Sequence, residues 1–341
     1  MLAFESDYTA GAHPAVLEQL VRTNLEPLPG YGTDCYSLRA ADRIRQACES
    51  PDAQVFFLTG GTQTNAIVIA AMLSPWQGAV AASTGHIHVH EAGAVEASGH
   101  KILTLPEHLG KIDPDELDAF VGSFYRDDNH EHMVYPGLVY LSHPTEYGTL
   151  YSRQELEQIA AICSQYDMHL FLDGARLGYG LASRETDVTL PDIASLCDAF
   201  YIGGTKVGAL CGEAVVFAPG KAPAHFYTFT KQRGAMLAKG RLLGIQFDAL
   251  FTDDLYMKIS RHAIIMADRL RDLLHRKGYP FYLESPTNQQ FVILTPEQQD
   301  RLRGLVRYSP WEALPDGRMV VRFAVSWSTT DEDMAALEAI L

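Results

Sequence analysis

His169-Leu-Phe-Leu-Asp173-Gly-Ala-Arg176 is followed by Ala199-Phe-Tyr-Ile-Gly203-Gly-Thr-Lys206, which sets a lysine 33 positions after Asp173. Each stretch closes an apolar run of strand length, so Asp173 and Lys206 are expected to project from the C-terminal edge of a parallel sheet. Open α/β sheets place their ligands at that edge. A carboxylate and an amine meeting there suit pyridoxal 5'-phosphate (PLP). The amine can condense with the aldehyde, and the carboxylate keeps the pyridine nitrogen protonated so that the ring accepts electrons. Taken singly, Lys206 reads as a surface lysine and Asp173 as a helix cap. Together, with Gly-Gly-Thr before the lysine, they favour a site.

Outward from these motifs, short apolar runs alternate with helical patterns. Candidate strands fall at 54–59, 79–83, 101–105, 137–142, 169–173, 199–203 and 214–218, with helical stretches such as 62–73, 113–121 and 153–166 between them. Strands separated by helical crossovers imply an α/β fold with a mainly parallel, seven-stranded sheet covered by helices. From about Gly234 the pattern changes. Two long helical stretches lead to strands at 279–283, 290–294 and 319–325 and a closing helix at 330–340, which read as a smaller C-terminal α+β domain.

The chain has 341 residues, enough for a large core, with 42 acidic and 27 basic residues and a net charge of −15. No basic run or stripe is present, which argues against nucleic acid and anionic membranes as partners. The apolar runs are too short to span a bilayer. The start, Met-Leu-Ala-Phe-Glu-Ser-Asp, has no basic or apolar signal region. Five cysteines, at 35, 48, 163, 197 and 211, form no C-x-x-C pair. An odd, scattered set fits buried thiols in a reducing cytoplasm better than a disulfide framework.

Gly60-Gly61-Thr62-Gln63 follows the first core strand and opens a helix, where backbone amides and the Thr62 hydroxyl can hold a phosphate. Alone it reads as a connector; beside Asp173 and Lys206 the phosphate reading is favoured, and Thr205 offers another hydroxyl. His86 lies past the second strand in Ser83-Thr-Gly-His-Ile-His-Val-His-Glu-Ala-Gly. His86 and His90 share a helix face while His88 points away, and no third ligand follows at metal spacing, so no metal is expected. Stacking on a flat cofactor ring suits His86 better. Arg176, three residues past Asp173, has a planar fork for a carboxylate or phosphate. Arg322 interrupts the apolar Val320-Val-Arg-Phe-Ala-Val, either at an exposed strand end or as an anchor for a substrate carboxylate.

The chain resembles the low-specificity L-threonine aldolases of the β-eliminating lyase group, PLP enzymes of fold type I. Over nearly its whole length the resemblance is carried by Glu5-Ser6-Asp7, Gly30-Tyr31-Gly32-Thr-Asp34, Gly60-Gly-Thr-Gln, His86 with Glu91-Ala-Gly93, Asp173-Gly-Ala-Arg176, Lys206, Lys231 and Arg322. It implies that Lys206 carries PLP as a Schiff base, Asp173 pairs with the ring nitrogen and His86 stacks on the ring. It further implies that Gly61, Thr62 and Gln63 hold the phosphate and that Ser6, Arg176 and Arg322, with Lys231 nearby, bind the amino-acid carboxylate. Tyr31 would approach the cofactor of a neighbouring subunit in a homodimer or homotetramer. On this reading residues 1–50 pack at the active site and subunit interface, 51–245 form the PLP domain, and 246–341 the small domain. The implied reaction is retro-aldol cleavage of L-threonine and related β-hydroxy-α-amino acids to glycine and an aldehyde.

Two departures bear on that reaction. Family members carry Asn-Thr-His-Asn-Gly after the fourth core strand, whereas this chain reads Ser142-His-Pro-Thr-Glu146-Tyr-Gly148, aligning Glu146 with the histidine that faces the substrate hydroxyl. Glu146 is therefore the candidate base, with His143 or His86 as substitutes and a surface-loop role as the alternative. The family's G-G-G-M-R-Q appears as Gly234-Ala-Met-Leu-Ala-Lys239, leaving Lys239 or Arg241 in place of its arginine. An aminotransferase or a β-eliminating lyase on another small amino acid is the competing reading.

Overall fold

The computed structural model describes residues 1–341 and is built on a seven-stranded sheet. Its strands lie in the order Gln54–Leu58, Glu213–Phe217, Ala199–Gly203, His169–Asp173, Tyr135–Ser142, Gln77–Ala82 and Ile102–Leu105. The five from Ala199–Gly203 onward pair in parallel, while Glu213–Phe217 runs antiparallel to both neighbours. Connection length explains the exception. Only residues 204–212 join Ala199–Gly203 to Glu213–Phe217, too few for the crossover that a parallel return needs. The antiparallel strand therefore begins at the edge where its parallel neighbours end, and that brings Glu213 to the same edge as Asp173 and Lys206.

Alternation along these strands feeds two cores. Leu170, Leu172, Phe200 and Ile202 face one layer with Leu156, Ile159 and Ile193 of covering helices. Phe171, Tyr201 and Val215 face the other, with Ile67 and Val68 of the helix Gly61–Met72. Both faces are buried, so the strands read as continuous apolar runs rather than as alternating ones.

The C-terminal part is a four-stranded antiparallel sheet in the order Ser309–Ala313, Met319–Ala324, Gln289–Leu294, Phe281–Leu283. Ser309–Ala313, with Pro310 and Glu312, carries no strand pattern; as an edge strand it tolerates a residue that cannot donate. The helix Leu255–Arg276 serves two cores, burying Ile259, Ala263 and Ile264 in the large one and Met266, Leu270 and Leu273 in the small one. The first residues divide in the same way. Leu2–Ala3 pairs in parallel with Val306–Arg307 and Phe4 enters the small core, while Ala12 and Val16 belong to the large one. No helix is long and apolar enough to cross a membrane.

Candidate active site

Asp173 and Lys206 line one cavity of about 340 Å³ at the C-terminal edge of the sheet, together with Gly60, Gly61, Thr62, His86, Glu146, Arg176, Thr205 and Glu213. Asp173 is buried and accepts hydrogen bonds from the Tyr140 and Tyr201 hydroxyls, from Asn65 Nδ2 at 3.0 Å and from the Ala175 amide at 3.0 Å. Burial opposes its charge, but His86 and the three side-chain donors outweigh burial and hold the carboxyl below its ordinary range. A carboxylate kept ionised in a buried place is ready for a cationic partner. Burial and the Arg176 charge lower Lys206 to about 8, against the pull of Asp7 and Asp173. A lysine so shifted offers more neutral amine near pH 7, which a carbonyl-condensing nucleophile requires.

Gly60 caps the helix Gly61–Met72 without any side-chain hydrogen bond, leaving first-turn amides open to an anion. A Cβ on Gly61 would come within 3.1 Å of the Tyr201 hydroxyl. The Gln63 side chain turns back to accept from the Thr59 amide at 3.2 Å and hydroxyl at 2.8 Å and does not line the cavity. Thr205 donates to Glu213 Oε1 at 3.0 Å and accepts from the Gly212 amide at 3.1 Å. A poised amine, an ionised buried acid and an uncapped helix start in one cavity fit PLP.

Glu146 lies inside the cavity wall rather than on a surface loop. Its Oε1 accepts from the His86 amide at 2.8 Å and the Ser142 hydroxyl at 2.7 Å, while Oε2 is buried without a partner. Burial raises its pKa. The His86 ring is held through Nδ1 by Glu91 Oε1 at 2.7 Å, an oxygen that also accepts from Asn65 at 2.7 Å. Asn65 thus bridges Glu91 and Asp173. His143 points elsewhere: it is buried away from the cavity, accepts from the Tyr151 amide at 3.3 Å, and burial lowers it to about 4. His88 and His90 are exposed.

Of the candidate carboxylate binders, Arg176 is clamped by Asp7, which accepts its Nε at 2.6 Å and Nη2 at 3.1 Å. Asn288 adds a third donor to Asp7 at 2.9 Å. Burial disfavours the Asp7 charge, yet Arg176, Lys206 and Arg322 hold it far below the usual carboxylate range. Arg322 donates to Gln289 Oε1 at 2.9 Å and to the Glu5 carbonyl at 3.2 Å, and its Nε is buried and unpartnered. Burial and the Arg176 charge lower Arg322 to about 10. Ser6 is buried with an unpartnered hydroxyl. Tyr31 and Lys231 are brought to each other, the Lys231 Nζ lying 4.2 Å from the ring centroid; both are exposed and neither lines the cavity. Arg241 donates to the Glu26 and Asn24 carbonyls.

Sequence reading missed Tyr8, which lines the cavity with its ring centroid 6.0 Å from Lys206 Nζ, and Asn65, Tyr140, Tyr201 and Glu213. Hydroxyl-bearing tyrosines inside apolar strands were a legible signal for Tyr140 and Tyr201, since a buried phenol needs a partner. Glu213 became visible only once its strand was known to run antiparallel.

A lysine and an aspartate at the carboxyl edge of a mostly parallel seven-stranded sheet, beside a small antiparallel domain, define a fold-type I architecture. The chain shares that fold with Thermus thermophilus aspartate aminotransferase, with a TM-score of 0.69 and 14% identity over 100% of this chain and 92% of that one. Residues 3–295 match the family model described as β-eliminating lyase, and the chain belongs to that family. It is similar to a Leishmania major threonine aldolase, with a TM-score of 0.95 and 40% identity over 100% of this chain and 98% of that one. It is also 29% identical to a low specificity L-threonine aldolase of Pseudomonas aeruginosa, covering 98% of this chain and 95% of the relative.

Proposed function

We propose that the protein is a PLP-dependent lyase that cleaves L-threonine and related β-hydroxy-α-amino acids to glycine and an aldehyde. The observation that carries this reading is the buried Glu146 carboxyl, one of its oxygens without a partner, in the wall of the cavity that holds Lys206 and Asp173, in a chain 40% identical to a threonine aldolase.

Bound PLP would supply an electron-accepting ring, attached through Lys206, with its phosphate at the amides of Gly61 and Thr62. Asp173, ionised, would keep the ring nitrogen protonated, and His86, oriented by Glu91, would offer its ring face. Arg322 and the Nη1 end of Arg176 fix the substrate carboxylate, with the Ser6 hydroxyl as a further donor. Glu146 accepts the β-hydroxyl proton on Oε2, because Oε1 is already committed to His86 and Ser142. A base must be ionised to act, and burial moves Glu146 toward the working pH, where proton transfer is most effective.

Tyr31 and Lys231, exposed and outside the lining of their own cavity, support a homodimer or homotetramer in which they reach a neighbour's site. The unpaired thiols, with Cys48, Cys163 and Cys197 buried, support a cytoplasmic setting. Residues 1–50, 51–245 and 246–341 serve as interface segment, cofactor domain and small domain. PLP-loaded protein incubated with L-threonine should release glycine and acetaldehyde in equal amounts. Consumption of threonine without glycine would overturn the reading.

A further inference from the structure

We propose that Glu213 is the proton-bearing member of the cofactor's phosphate site: its carboxyl holds a proton while the phosphate is bound at the Gly61 and Thr62 amides. This rests on the reading of the cavity as a PLP site.

Glu213 is 3% exposed and lines the cavity. It pairs across the sheet with Leu58 on one side and Gly203 on the other. Leu58 leads directly into Thr59-Gly60-Gly61, and Gly203 leads into Thr205 and Lys206, so the carboxyl stands between the anion cradle and the lysine. Its own hydrogen bonds come from neutral groups, the Gly204 amide at 3.2 Å and the Thr205 hydroxyl at 3.0 Å.

An ionised carboxylate here would face a phosphate from a buried position, and like charges in such a place disfavour joint ionisation. A proton on Glu213 removes the conflict and turns the group into a donor. The neighbouring groups do not remove the need for it. Asp173 is a second anion in the same cavity, and Tyr201 and Tyr256 stay neutral, both raised by burial first. The Lys206 charge favours the carboxylate, but Asp7 and Asp173 draw on that charge more strongly than Glu213 does. Burial pushes the Glu213 carboxyl up to about 8, against the pull of Thr205 and Lys206. An adjacent phosphate moves it higher. At pH 7 the proton is already present, whereas above pH 8 phosphate binding must draw it from solution.

The test is calorimetric titration of PLP-free protein with pyridoxamine 5'-phosphate, which has the phosphate but no aldehyde to condense with Lys206. Two buffers of different ionisation enthalpy, from pH 7 to 9.5, give the protons taken up. Wild type should take up nearly one proton more than Glu213→Gln at pH 9 and no more at pH 7. Its affinity should fall relative to the variant by roughly tenfold per pH unit above 8. The Gln amide keeps the shape and donor of the neutral acid, so the two proteins should bind alike at pH 7. Equal proton counts throughout would overturn the proposal, and so would a wild-type affinity that stays flat from pH 8 to 9.5. No binding at any pH would instead sink the reading of the cavity as a PLP site.

Discussion

Glu146 keeps one oxygen in two hydrogen bonds and leaves the other bare inside the protein. Bare buried oxygens are uncommon because they forgo solvation without compensation, so the arrangement points to a group that the substrate completes. For Glu146→Gln, kcat should fall by about 10²–10⁴ with little change in KM, since the proton leaves only on the way to the transition state. The sign of the pH dependence follows from burial. Glu146 must be ionised to act and its pKa is raised, so wild-type kcat should climb through an inflexion above the ordinary carboxylate range. The variant should lack that inflexion, and a kcat profile identical to wild type would remove Glu146 from the chemistry. Asp7 allows a different check. Asp7→Asn leaves Arg176 buried beside an uncharged partner and should destabilise the protein by about 3–5 kcal/mol, read from a denaturant midpoint. The sequence named Arg176 but gave no sign of this clamp, because Asp7 and Arg176 lie 169 positions apart and only the fold joins them.

Elements were legible wherever packing is two-sided. The strands ending at Asp173 and Gly203 are apolar throughout because helices cover both faces, and their pattern needs no tertiary knowledge. The direction of Glu213–Phe217 and the edge strand Ser309–Ala313 were not legible. One depends on how few residues precede it, the other on having a free edge. The loop after Tyr135–Ser142 shows what pattern cannot supply. Gly148 has φ +71, and its carbonyl accepts from the Ser285 and Thr287 hydroxyls of the C-terminal part at 2.9 and 3.1 Å. A Cβ there would sit 2.3 Å from Ser285 Oγ. Gly148→Ala should cost about 2–4 kcal/mol, combining left-handed backbone strain with overpacking. By displacing Glu146 two residues away it should also lower kcat. Wild-type melting and turnover in this variant would show that the close packing of Gly148 on Ser285 and Thr287 does not hold the loop.

At the level of the assembly, the mainly parallel sheet and its helical layers followed from strand and helix spacing. Tyr31 and Lys231 are exposed and outside the cavity of their own chain, which makes their proposed place in a neighbour's site a matter for experiment. Mixing inactive Lys206→Ala with Tyr31→Ala should restore activity to up to about a quarter of wild type if sites are shared across a dimer, because random pairing of subunits forms one intact site in half of the dimers. Activity no greater than the sum of the two variants would confine each site to one chain.

The crossing of the first residues into the small core sets an order of events during synthesis. Phe4 donates to the Arg307 carbonyl and its own carbonyl accepts from Ala324, and Asp7 takes a hydrogen bond from Asn288. A nascent chain emerges from its N-terminus, and domains that can fold do so as they appear. Residues 54–217 can close their sheet early. The segment that clamps Arg176 must wait, unseated, until residues 288–324 have left the ribosome. On the proposed reading, the carboxylate subsite is thus the last part of the site to be completed as the protein grows.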